Sequence, residues 1–152
     1  MNDRTILVTG SSSGIGKAIV ATLLEAGAQV IGISRTKSAA FSKNTLYTDI
    51  SVDIGNNVSL ENELKLVLAD FPHLDGLICN AGFGKFDNLE NVSSEQIASY
   101  INLNLVSHMI ITRIVIPHFK NNTRGDIIFM GSESALEGKK MGSLYSAAKF
   151  GL

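Results

Sequence analysis

Thr5-Ile6-Leu7-Val8-Thr9-Gly10-Ser11-Ser12-Ser13-Gly14-Ile15-Gly16 stands near the start of the chain. A short apolar run passes through a glycine-rich turn into a segment of helical period that reaches Ala26, where Gly27 is a natural stop. Strand, turn and helix in that order present unpaired helix amides beside glycines that let another molecule approach the backbone, which suits a pyrophosphate. Gly10, Gly14 and Gly16, with Ser12, Ser13 and Ile15 between them, are therefore candidate cofactor-binding residues. A plain tight turn from strand to helix fits the same glycines.

Outward from that unit the pattern repeats. Thr5–Thr9, Ala28–Ile33, Tyr47–Ile54, Leu74–Cys79 and Asp126–Met130 read as strands; Gly14–Ala26, Ser59–Asp70, Ser94–Phe119 and Ser143 to the chain end read as helices. Right-handed crossovers turn this alternation into an α/β fold, a doubly wound parallel sheet with helices on both faces. One domain over residues 1–152 is expected, with the polar Thr36–Asn44 stretch as a mobile loop. Gln96 to Phe119 is apolar nearly all round, so it should be buried on two sides, by its own sheet and by either further C-terminal elements or another subunit.

The chain has 152 residues, 45% hydrophobic and 18% charged, and a formal charge of −1. Dispersed charges give no electrostatic reason to expect nucleic acid or an anionic membrane as partner. The N-terminal apolar run is too short for a signal-peptide core, and His108 and Arg113 interrupt the most apolar later stretch, so a cytoplasmic protein is expected. Cys79 alone can form no internal disulfide, and His73, His108 and His118 lack zinc-like spacing.

Twenty residues after Gly14, where a carboxylate would hold the adenosine ribose hydroxyls of NAD, stand Ser34 and Arg35. Serine tolerates a 2′-phosphate and arginine grips one with charge-assisted hydrogen bonds, so NADP(H) is expected over NAD(H). Tyr145 and Lys149 are four residues apart, on one face of a helix. A free tyrosine ionises near pH ~10, so as a proton donor and acceptor at neutral pH it needs a neighbouring positive charge, and Lys149 is placed to supply one.

Thr9-Gly10-Ser11-Ser12-Ser13-Gly14-Ile15-Gly16, Asn80-Ala81-Gly82, Ser132 and Tyr145-Ser146-Ala147-Ala148-Lys149 together resemble the short-chain dehydrogenase/reductase family, over essentially the whole chain. The resemblance implies a Rossmann-like three-layer αβα fold, with five of an expected seven strands present. It also implies an oxidoreductase moving hydride between NADP(H) and a ketone, aldehyde or secondary alcohol. In that scheme Tyr145 is the general acid/base, and Lys149 supports it and holds the nicotinamide ribose. Ser132 would hydrogen-bond the substrate oxygen, and Asn104, with Asn102 as a nearby competitor, would anchor a water behind the lysine. Asp53 and Ile54 would meet the adenine, although an Asp near a strand end also forms turns. Asn80, Ala81 and Gly82 would line the cofactor groove.

Phe83, Lys85, Phe86, Glu133, Leu136 and Met141 are candidate substrate-lining residues on the neighbouring loops. Members of the family are longer, with two more strands and a substrate loop, and commonly assemble as homodimers or homotetramers, so an excerpt of a longer protein is expected. A nicotinamide-cofactor sensor without turnover and an interaction fragment are the rival readings. Retention of all four reactive residues argues against the sensor.

Overall fold

The computed structural model describes residues 1–122 and 124–152. Its strands are β1 (Thr5–Thr9), β2 (Gln29–Ser34), β3 (Tyr47–Ser51), β4 (Gly76–Cys79) and β5 (Asp126–Phe129), and its longer helices are α1 (Gly14–Glu25) and α2 (Asn57–Asp70). Next come α3 (Ser94–Ile101), a π-helical turn (Asn102–Val106), α4 (Ser107–Asn121) and α5 (Ser143–Phe150). All five strands are parallel, in the order β3-β2-β1-β4-β5. The fold is thus the expected Rossmann-like α/β sheet. Its direction of winding reverses between β1 and β4, and at such a switch point the loops leaving the two strands diverge and open a crevice.

Apolar runs bounded by turn residues make the central strands, and β1, β2 and β4 are buried on both faces. On one face Leu7, Ile31, Ile33 and Leu77 meet Leu60 and Leu64 of α2 and Ile111 and Val115 of α4. On the other Ile6, Val8, Val30 and Ile78 meet Val20 and Leu24 of α1. Burying side chains of this size contributes about 1.5–3 kcal/mol each before the entropy of ordering is set against it.

Several boundaries differ from the sequence reading. β3 stops at Ser51, because Asp53 folds back into a turn in which its carboxylate accepts the Gly55 N–H at 2.9 Å. α2 begins at Asn57, capped by Asn56, whose side-chain oxygen accepts the Ser59 N–H at 3.1 Å. The long helix expected from Ser94 opens with a Ser93/Gln96 capping box and contains the π turn, a local widening that periodicity does not reveal.

Ser94–Asn121 is one 28-residue helical run, long and apolar enough by length and hydropathy alone to cross a membrane. It nevertheless buries Asn104, Ser107 and His108 along with Tyr100, Ile111, Val115 and Phe119. Its opposite side leaves Val106, Met109 and Ile116 partly exposed, at helical spacing. β5 is an edge strand and exposes 51% of Ile128.

Candidate active site

At the carboxyl ends of β1, β2 and β4 a groove of about 880 Å³ runs from Arg35 and Lys37 at one end, past Gly10, Ser12, Ser13, Gly14 and Ile15, to Tyr145 and Lys149 at the other. Its floor is built by hydrogen bonds between the first turn and the end of β4. The Thr9 hydroxyl accepts the N–H groups of both Asn80 and Ala81 at 3.0 Å, and the Asn80 side-chain amide donates to the Thr9 carbonyl at 3.0 Å. Gly10 has φ +70 and lies so close to β4 that a Cβ there would meet the Ala81 Cα at 2.9 Å. Gly16 does not line the groove; it is buried behind the turn, where a Cβ would collide with the Gly10 carbonyl. Gly14, Ile15 and Lys17 of the first turn of α1 line the groove, and nothing lies within 4 Å of where a Cβ of Gly14 would project. These features fit a pyrophosphate-bridged dinucleotide.

Ser34, Arg35, Asp53 and Ile54 line the Arg35 end of the groove together with Val52 and Thr36 to Ala40. The Ser34 hydroxyl donates to the Thr36 carbonyl at 2.7 Å and so shapes the loop. Arg35 and Lys37 are exposed, and neither has a salt-bridge partner among the described residues. Thr36–Asn44, expected as a mobile loop, is joined to the sheet at Ser38, whose N–H donates to Asp49 Oδ2 at 2.5 Å.

At the far end, four-residue helical spacing brings Tyr145 and Lys149 to the same wall. The Phe86 ring packs edge-on against Tyr145, centroids 5.9 Å apart, and the Gly84 backbone runs close by the phenol. Lys149 is buried and its Nζ donates to the Met130 carbonyl at 2.7 Å. Burial pulls its ammonium below the usual lysine range, which makes that carbonyl an important partner for the charged form. Ser132 follows β5 and caps the short turn Glu133–Ala135, accepting the Ser134 N–H at 3.2 Å; it stands beside the groove and does not line it.

The two asparagines of the π turn separate cleanly. Asn104 is fully buried, its Oδ1 accepts the Phe83 N–H at 3.1 Å and its Nδ2 donates to the Tyr100 carbonyl at 3.0 Å. Asn102 turns the other way, donating to the Gly55 carbonyl at 2.7 Å and accepting from Asn57 at 3.0 Å. Asn104 thus supports the loop beside Tyr145, whereas Asn102 supports the turn between β3 and α2.

One turn beyond Asn104, His108 is fully buried with no hydrogen-bond partner on either ring nitrogen. Burial, and then the Lys149 charge, pull it down to about 4. Cys79 is likewise buried, its thiol pushed up to about 12 by burial, as befits a core strand position.

Sequence reasoning passed over Lys17 and Lys37, both on the groove wall, and the Thr9 staple. Lys37 carried a signal, a second cation two residues after Arg35. Thr9 carried none, since its partners are some seventy residues away. Of the candidate substrate-lining residues, Phe83 lines the groove and, with Lys85 and Met141, also borders a second cavity of about 150 Å³ together with Leu89, Val92 and Tyr100. Phe86 packs on Tyr145, while Glu133 and Leu136 face solvent and line neither cavity.

The family model described as short chain dehydrogenase matches residues 4–152. The chain belongs to the short-chain dehydrogenase/reductase family. It is 32% identical to a 3-ketodihydrosphingosine reductase of Bacteroides thetaiotaomicron over 150 residues, 99% of this chain and 55% of that reductase. A metagenomic short-chain oxidoreductase solved in complex with NADP superposes with TM-score 0.92 at 26% identity, covering 100% of this chain and 72% of the other. A 4-hydroxyisoleucine dehydrogenase complexed with NADH shares the fold, with TM-score 0.87 at 24% identity over 97% of this chain and 63% of its own. This short-chain dehydrogenase/reductase chain thus spans about half the length of the curated reductase it matches.

Proposed function

We propose that residues 1–152 form a single NADP(H)-binding unit and the proton-transfer half of an oxidoreductase acting on a ketone, aldehyde or secondary alcohol. The observation that carries this reading is one groove with two unpaired cations, Arg35 and Lys37, at one end and the Tyr145–Lys149 pair at the other. When bound, the nicotinamide supplies or accepts the hydride. Arg35 and Lys37 attract the dianionic 2′-phosphate, and the α1 amides meet the pyrophosphate. Lys149, held by Met130, directs positive charge toward the Tyr145 phenol, which gives its proton to the carbonyl oxygen as that oxygen becomes an alkoxide, or takes it from an alcohol in reverse. Ser132 donates to the same oxygen while charge develops there. Asn104 fixes the Phe83 backbone and so the wall facing Tyr145.

A cytoplasmic location and a homodimer or homotetramer belong to the same reading. The stripe Val106, Met109 and Ile116 supports self-association, because apolar side chains at helical spacing favour burial. Fluorescence titration of the full-length protein tests the cofactor. NADPH should bind more tightly than NADH, and Arg35→Ala should narrow the gap by about 1–3 kcal/mol. Equal affinities in the parent would end the NADP(H) assignment.

A further inference from the structure

The loop that carries Arg35 and Lys37 is gripped at three points by one face of the edge strand. Side chains two residues apart on a strand point the same way, and on β3 these are Tyr47, Asp49 and Ser51. The Ser51 hydroxyl donates to the Arg35 carbonyl at 3.0 Å. Asp49 Oδ2 accepts the N–H of Ser38, which is itself buried, at 2.5 Å. The Tyr47 ring packs edge-on against Phe41, centroids 5.2 Å apart. Start, middle and end of the segment Arg35–Phe41 are thereby each fixed to a different residue of the same strand face.

The choice of an aspartate is informative. A carboxylate beside a phosphate-binding loop repels the phosphate unless its charge is committed elsewhere, and a neutral acceptor could also hold an N–H. An ionised acceptor holds that N–H about twice as strongly. Loop order is what a phosphate site on a surface loop needs, because every residue left mobile must be ordered on binding.

We propose that Tyr47, Asp49 and Ser51 form a clamp that pre-orders the Arg35–Phe41 loop for a phosphorylated ribose, with Asp49 as the specificity-positioning residue. The proposal rests on the NADP(H) reading above. Asp49 and Ser51 hold the loop, whereas the Tyr47 hydroxyl also lies beside Ser11 of the first turn; the discrimination between cofactors with and without the 2′-phosphate is therefore carried by Asp49 and Ser51.

The test is titration of NADPH and NADH into full-length parent, Asp49→Ala, Asp49→Asn and Ser51→Ala protein, each checked for folding by circular dichroism. Asp49→Ala should weaken NADPH about tenfold and NADH less than twofold. Asp49→Asn keeps an acceptor and should restore most of the NADPH preference. Ser51→Ala removes one neutral hydrogen bond and should narrow the preference about threefold; it carries the test if Asp49→Ala fails to fold. A parallel loss for both cofactors, an unchanged preference in Ser51→Ala and Asp49→Ala, or tighter NADPH binding in Asp49→Asn would each overturn the clamp. The last result would mark Asp49 as a repelling charge. A parent without NADPH preference sinks the cofactor reading and the clamp with it, whereas a preference that survives Asp49→Ala sinks the clamp alone.

Discussion

The two ends of the sheet are built on opposite principles. At the amino ends of β1, β4 and β5, Asp75 is flanked by Arg4 at 2.6 Å and Arg124 at 3.0 Å, and Arg4 also reaches Asp126 at 2.8 Å. Charges there are neutralised within the molecule, and the carboxylate of Asp75 is buried among its partners. At the carboxyl ends of β1, β2 and β4, Arg35 and Lys37 lack such partners among the described residues, Gly10 and Gly14 hold positive φ, and the start of α1 lines an open groove. Internal pairing makes the first end a structural fastening. Charge left to solvent beside the start of a helix makes the second a candidate site, since an anionic ligand can replace the water there.

Substitutions should therefore separate stability from turnover according to the end they strike. The largest effect is expected at the open end. Tyr145→Phe removes the hydroxyl proposed for proton transfer while keeping the ring that Phe86 packs against. Turnover of a responsive carbonyl substrate should fall by about 100-fold or more, with NADPH affinity and unfolding midpoint near the parent values. Undiminished turnover would remove Tyr145 from the mechanism.

Asp75→Ala should do the reverse. It leaves Arg4 and Arg124 without their shared carboxylate in a partly buried setting, at a cost of about 2–3 kcal/mol, discounted below the ~3–5 kcal/mol of a broken buried pair because Arg124 is substantially exposed. Urea denaturation would read that loss, and NADPH titration should show no matching change. A variant that keeps its stability but loses cofactor affinity would dissolve the distinction between the two ends.

The same contrast accounts for what was legible before the structure. Five strands in a parallel sheet followed from local apolar runs and the glycine turn; for β1, β2 and β4, burial on both faces leaves a continuous signal in sequence. Tyr145, Lys149 and the glycines followed from fixed spacing within one element. What stayed hidden depends on pairs distant in sequence: Thr9 with Asn80 and Ala81, Ser38 with Asp49, and the opposed bonding of Asn102 and Asn104 across the π turn. Thr36–Asn44 reads as a mobile loop because its composition is polar; its bonds to β3, which come on top of the short turn Ala39–Phe41 within it, are not visible in that composition.

The smallest effect lies between the two ends, at His108, and it is read through pH. His108 is buried among α4, β4 and α5, with Lys149 and Cys79 the ionisable groups that act on it or share its surroundings. Its folded value of about 4 lies below the ~6.5 of an unfolded histidine. Between those values the unfolded chain binds the extra proton, so stability rises with pH; the contribution is complete above about 6.5 and is lost as pH falls toward 4. From this group alone the protein should be about 2 kcal/mol less stable at pH 5 than at pH 8. Cys79 stays a neutral thiol throughout that window, and Lys149, held by Met130, has no carboxylate partner to lose as pH falls. His108→Leu removes the titration, so its stability should fall less between pH 8 and pH 5 than the parent's, by that same amount. Superimposable acid limbs for parent and variant, measured by urea denaturation at each pH, would show that His108 gains its proton without opening the fold.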